Sequence, residues 1–367
     1  MYSFLKRFTM LPVCILMMLA GFNTGLYAQD SPADMPLLLT VSVDPQTGNA
    51  SLQWINLADK MQHPITSFNA VSYCLPQVFG DGTKLLYEPY SPGQSPLTFE
   101  INMNSGSITP LDASGQLALR CPVINPDEES IAWLHQSENS DQLFVTNMDL
   151  SNPVNLAEHG SIENAIWSPD GTILIYTGVD EDPTFRPLYA NADAKYNFWQ
   201  RDSGLVVDYT WVPDGNLLLL LYYTQDNAIL GGLSRDCVLS VQTCAPMPLA
   251  LFGLNSGLRF ANAFSPDGVQ VVVIEEAYND AGELITDLFS INTRTGKMMR
   301  LTDSPSLVEV NAVWTGDTIY FVGGEYDPMG MSFTESAVYR IPAQGGTAEI
   351  AFAAEGYFPI QILWYSE

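Results

Sequence analysis

Histidine is scarce in this chain: three in 367 residues, His63, His135 and His159, spread over separate stretches. Three scattered imidazoles do not make a histidine-rich metal site, and each reads as structural or surface. Cationic side chains are few as well, 14 Lys and Arg against 41 Asp and Glu, for a formal net charge of −27. Such a surface repels phosphate backbones and anionic lipid, so nucleic acid is excluded as a partner, while cationic ligands and divalent ions stay open. Missing too are a G-x-S-x-G nucleophile elbow, a Walker loop, a dinucleotide glycine fingerprint, an EF-hand loop and a Cys-x-x-Cys pair. No catalytic residue and no metal ligand is therefore nominated.

Long apolar runs are also lacking. The one near the start, Met10 to Ala20, follows Lys6 and Arg7 and precedes the small-residue site Leu26-Tyr27-Ala28. It is too short to span a bilayer and reads as a secretory signal peptide over residues 1–28, an uncleaved anchor being the other reading. An exported protein, periplasmic or extracellular, is expected, with residues 29–367 as a single domain. Four cysteines follow the leader. In an oxidising compartment Cys237 and Cys244, which bracket VLSVQT, are expected to pair; Cys74 and Cys121 either pair with each other or stay as buried thiols.

What the chain has in abundance is a repeat. In IWSPDGTILIYT, from Ile166 to Thr177, Pro169 presets φ, Asp170 can bond neighbouring amides and Gly171 accepts a positive φ, so a tight turn joins two strands. The pattern recurs around Asp81, Asp127, Asp214, Asp267 and Asp317, at spacings of 46, 43, 44, 53 and 50 along the series. Glu128 and Thr318 replace the turn glycine in two copies. Three residues before each aspartate stands a bulky apolar residue: Val78, Ile124, Trp167, Trp211, Phe264 or Trp314. Each hairpin is followed by a third strand-like run, among them LFVTNMD at Leu143, VLSVQ at Val238 and LFSINT at Leu288, then by a turn and a short fourth strand. The unit is thus a four-stranded antiparallel meander, and its period points to propeller blades.

The ends fix the count. One period before Asp81 the chain enters LLLTVSV, and it finishes on QILWYSE with Trp364 at the apolar register. The first strand is expected to pair with the last and seal two edges that would otherwise template aggregation. The reading is all-β: a seven-bladed β-propeller of four-stranded antiparallel blades, one of them closed by the N- and C-terminal strands, with a six-bladed ring as the alternative.

The WSPDG hairpin followed by LFVTNMDLSNPVNLA resembles the WD-repeat-like blades of TolB-type β-propellers, also found in the propeller domains of prolyl-oligopeptidase-like peptidases. The resemblance spans nearly all of residues 29–367; it implies a fold and no particular activity.

Function is sought on loops above the rigid scaffold. The b-to-c connections share one face and are acidic and aromatic: Asp180, Glu181 and Asp182; Glu275 to Asp287 with Tyr278 and Asp280; Gly323 to Glu335 with Tyr326 and Asp327. This face is expected to bind a protein, peptide or glycan without catalysis, in a monomer. A hydrolase or lyase acting at the mouth of the central channel is the alternative. No cofactor is expected; a Ca2+ held by Asp180, Glu181 and Asp182 is the weakly supported exception.

Overall fold

The computed structural model describes residues 37–366, apart from 45, 70–71, 73, 90–95, 116, 138, 180–187, 191–204, 240–244, 254–255, 279–281, 305–306, 328–331 and 354–357. The chain lays down β1 (Leu37–Val43), β2 (Ala50–Asn56) and β3 (Gln62–Phe68). A meander of β4 (Gln77–Phe79), β5 (Lys84–Tyr87), β6 (Phe99–Asn102) and β7 (Ile108–Pro110) follows, then β8 (Arg120–Ile124), β9 (Ser130–Gln136), β10 (Asp141–Asn147) and β11 (Val154–His159). Next come β12 (Ser161–Trp167), β13 (Leu174–Val179) and β14 (Leu188–Ala190), and β15 (Leu205–Trp211), β16 (Leu217–Tyr223), β17 (Ala228–Ser234), the short helix α1 (Arg235–Val238) and β18 (Met247–Phe252). The series ends with β19 (Gly257–Phe264), β20 (Gln270–Tyr278), β21 (Leu284–Asn292) and β22 (Met298–Arg300); β23 (Val308–Thr315), β24 (Thr318–Asp327), β25 (Ser332–Pro342) and β26 (Glu349–Phe352); and β27 (Phe358–Ser366).

Every ladder between these strands is antiparallel, and six of the sheets have four strands. One of the six has the order β27-β1-β2-β3, so Leu39 pairs with Trp364 and the first and last described strands share one blade. The remaining sheet, β12-β13-β14, has three strands among the described residues. Complete four-stranded blades thus number six, the count of the alternative. The three-stranded sheet occupies the fourth place in the seven-unit reading, whose expectation of uniform four-stranded blades is not met among the described residues.

Apolar clusters lie between neighbouring sheets and carry the core around the ring. Ile166, Ile173 and Ile175 of the β12–β14 sheet pack on Val206, Trp211 and Leu218 of the next. Phe260 and Val273 pack on Leu219 and Leu221; Leu38, Ile55 and Ile362 of the terminal blade pack on Val310 and Val322. Burial of such side chains at roughly 25 cal/mol per Å2 is the main drive for stacking one blade on another.

One strand was misplaced by the sequence pattern. VLSVQ at Val238 is not the third strand of its blade: AILGGLS, β17, holds that place, and Ser234 caps α1, accepting the Cys237 N–H at its hydroxyl. Gly231 and Gly232 break the β-branched signature of β17; a Cβ added at Gly231 would lie 2.8 Å from the Tyr222 ring, and one at Gly232 would press on Leu217 at 3.0 Å.

Candidate functional site

The short turns and the long hairpins emerge on opposite faces of the ring. On the turn face the local chemistry repeats. Ser168 donates from Oγ to Asp170 at 2.7 Å and accepts the Ile173 N–H at 2.9 Å, while Gly171 sits at φ +70°. Ser265, Asp267, Gly268 and Gln270 reproduce that arrangement, with distances of 2.6 and 2.8 Å and φ +68°. The two degenerate copies find other solutions. Glu128 itself adopts φ +57°, and its carboxylate reaches across to accept the Gly80 N–H of the preceding blade at 2.8 Å; in the other copy Gly316, before Asp317, takes φ +52°.

Between the faces, polar side chains on the inner strands bolt each blade to its neighbour. Asp208 is fully enclosed, accepting the N–H of Phe260 in the next blade at 2.9 Å and that of Tyr209 at 2.8 Å. Burial pushes its carboxyl up to about 7, against the pull of those two amides and of Arg259. Asp141 accepts the Ile162 N–H at 3.0 Å, Gln77 that of Ile124 at 2.9 Å, and Asn311 both donates to and accepts from Ile362. The ladders of β8, β12, β15, β19 and β23 slip near these residues, with Cys121, Asn164 and Asn262 in the left-handed region. A bulge of this kind turns backbone amides out of the ladder towards the adjacent blade.

The long-hairpin face has its densest chemistry where the β19–β22 blade meets the β23–β26 blade. Arg259 donates from Nε to Glu276 at 2.7 Å and from its terminal nitrogens to the carbonyls of Glu309 and Val310. Arg300 bridges Asp287 at 2.6 Å and Asp303 at 2.7 Å. Glu309, at 0% exposure, accepts hydroxyl bonds from Thr302 at 2.9 Å and Ser304 at 3.3 Å. Its carboxyl is pushed up to about 8 by burial, with the Thr302 hydroxyl opposing and the Asp287 charge adding to the shift. Asp287 is also raised, first by burial, and Ser304 joins the two acids by donating its N–H to Asp287 at 3.3 Å. Being sealed, Glu309 cannot touch a solute; it locks the joint, while Asp303, Arg300 and Glu276 present charge at the surface.

Above this joint two ribbons project. The sequence reads Glu275–Asp287 and Gly323–Glu335 as loops, but both are largely strand: Tyr278 pairs with Leu284, Tyr326 with Phe333 and Asp327 with Ser332. Cross-strand pairing of aromatic and β-branched residues extends these hairpins beyond the blade. Tyr278 is 58% exposed at the described end of its ribbon. Tyr278, Tyr326 and Asp327 thus lie on adjoining blades of one face, whereas Asp180, Glu181, Asp182 and Asp280 lie outside the described residues. His63 lies in β3, while His135 in β9 and His159 in β11 belong to one sheet, on either side of β10.

Cys74 and Cys121 form a disulfide with Cα atoms 5.3 Å apart, tying the segment before β4 to β8. Cys237 is also disulfide-bonded; Cys244, its expected partner, lies outside the described residues.

The acids at the joints were not singled out by sequence reasoning, although a signal existed. Six residues before the turn aspartate, inside an apolar strand, stand Cys121, Asn164, Asp208 and Asn311. At Asp208 and Asn311 the polar side chain at this register makes the blade-to-blade joint.

No family model matches the chain, and no curated protein matches it. Solved structures do. An oligogalacturonate lyase from Vibrio parahaemolyticus is similar at 10% identity and TM-score 0.59, over 85% of this chain and 92% of that one. A puromycin hydrolase is similar at 15% identity and TM-score 0.59, over 89% of this chain and 56% of the hydrolase. TolB from Acinetobacter baumannii matches at 16% identity and TM-score 0.49 over 72% of this chain, which spans 63% of the TolB length. At such identities the likeness of the first two is one of fold alone. Among the described residues no helix is long and apolar enough to cross a membrane.

Proposed function

We propose that this protein is an exported, non-catalytic propeller that binds a protein, peptide or glycan on its long-hairpin face. The observation that carries the reading is the pair of ribbons, β20–β21 and β24–β25, standing over a joint held by the ion pairs of Arg259 and Arg300 and by the hydroxyl bonds of Glu309. A rigid floor beneath an exposed aromatic suits recognition, because little ordering is left to be done on binding. The chain's net charge of −27 favours a cationic ligand and slows the approach of a polyanion.

The alternative, a hydrolase or lyase, shares its fold with the lyase and the hydrolase above and needs an accessible acid pair. Asp287 and Glu309 share Ser304 as a hydrogen-bond donor, but Glu309 is sealed beneath Thr302 and Ser304.

The test uses three probes: an Arg- and Lys-rich peptide, a neutral oligosaccharide, and an oligogalacturonate with and without Mn2+. A binder at a hundredfold excess over its Kd raises unfolding free energy by about 2.7 kcal/mol. The expected result is stabilisation by the peptide, lost in Tyr278→Ala, with every probe recovered intact. Stabilisation that survives Tyr278→Ala would move the site elsewhere, and cleavage of any probe would replace binding by catalysis.

A further inference from the structure

The Cys74–Cys121 disulfide has a carboxylate beside it. A ligand atom of Glu88, at the end of β5, lies within 4.8 Å of both sulfurs, and among the described residues no other group of three or more His, Cys, Asp or Glu side chains is gathered so closely. The three come from three places: the segment before β4, the end of β5, and the left-handed residue of β8. Glu88 is held in place, since its Oε2 accepts the Cys121 N–H at 2.7 Å. Cys74 is fixed by Ser72, whose hydroxyl donates to the Cys74 carbonyl, and Ser72 itself bridges to Pro89. Cys74 and Cys121 are partly exposed residues, and Glu88 is buried directly beside them.

We propose that Cys74, Cys121 and Glu88 form a thiol-gated site for a soft divalent cation of the Zn2+ type, shut while the disulfide stands and opened by its reduction. Two thiolates and a carboxylate are a donor set that suits Zn2+, with water completing four-coordination. Opening requires a dithiol reductant. Its thiolate attacks one protein sulfur, the S–S bond breaks, and the second thiol of the reductant closes on the mixed disulfide and leaves as a cyclic disulfide. The reductant is thus oxidised by two electrons and the protein gains two thiols. Zn2+ then displaces the thiol protons, about two per ion.

The experiment compares oxidised and reduced full-length protein, the latter treated with dithiothreitol and freed of it anaerobically, each titrated with Zn2+ against a chromophoric chelator. The reduced protein is expected to bind one equivalent more than the oxidised protein. Cys74→Ser/Cys121→Ser, which keeps the Cys237 bridge, is expected to lose that equivalent, and Glu88→Gln to weaken it about tenfold or more. Equal uptake by oxidised and reduced protein overturns the proposal, as does wild-type affinity in Glu88→Gln. If the double variant does not fold, oxidised wild type supplies the baseline and Glu88→Gln decides. Reduced protein that loses its β-sheet circular dichroism and does not regain it with Zn2+ also overturns it.

Discussion

The two faces of the ring are made by the same strands and follow opposite rules. On the turn face one solution is used repeatedly: a serine or its equivalent, an aspartate and a left-handed residue, as at Ser168 and again at Ser265. On the other face each connection differs, from the four-residue connection between β9 and β10 that Ser137 and Ser140 close to the ribbons of β20–β21 and β24–β25. Uniformity marks where architecture is set, and variety marks where the chain is free to be specialised.

That contrast can be broken by placing the same substitution on both faces. Gly296, in the turn between β21 and β22, has φ +69°, and an added Cβ would collide with the Leu249 backbone carbonyl. Gly296→Ala is expected to cost more than about 3 kcal/mol in urea unfolding, because backbone strain and a clash act together. Gly282, on the opposite side, has φ +81° with nothing within 4 Å of an added Cβ. Its alanine variant is expected to lose only about 1 kcal/mol, from strain alone. Equal losses would show the hairpin face to be as constrained as the turns.

Between these extremes, Asp208→Ala strips the acceptor from two buried amides and is expected to cost about 2–3 kcal/mol, with Asp208→Asn recovering much of it. Acidity probes the same joints without mutation. Asp208, Glu88 and Glu309 titrate in the folded chain at about 7, 7 and 8, above their ordinary values of 3.8 and 4.5. A carboxyl raised by folding lends stability that is fully present below its unfolded pKa and lost as pH rises through the folded one. The urea midpoint is therefore expected to be higher at pH 6 than at pH 8.5, and a midpoint that falls on acidification over that range would contradict the burial of these acids. Smallest of all is Arg235→Ala, which removes the 2.7 Å bridge to Asp170 on the exposed turn face; a loss of about 0.5 kcal/mol is expected by the same measurement.

These features were unequally legible in the sequence. The turn face could be read because Asp and Gly at fixed spacing have few conformational alternatives, and the pairing of Leu39 with Trp364 followed from the period alone. The joints were legible only in part: Asp208 and Asn311 stand at one register of their strands, but the partner of Asp208 is the amide of Phe260, and a backbone donor leaves no trace in residue identity. The ribbons read as loops because both stretches are acidic and polar; in the structure Gly323 and Gly324 pair in register with Ala337 and Ser336 of β25. Gly324 lies so close to the Glu335 carbonyl that no side chain would fit, which explains a glycine inside a strand.

Leu39 and Trp364 are 325 positions apart, yet their strands are neighbours. Contacts so distant along the chain are the slowest to form, since the entropy of gathering the whole intervening length must be lost before any bond rewards it. During synthesis β1 therefore waits with one side unpaired until β27 emerges, and the closure of this blade comes late in folding.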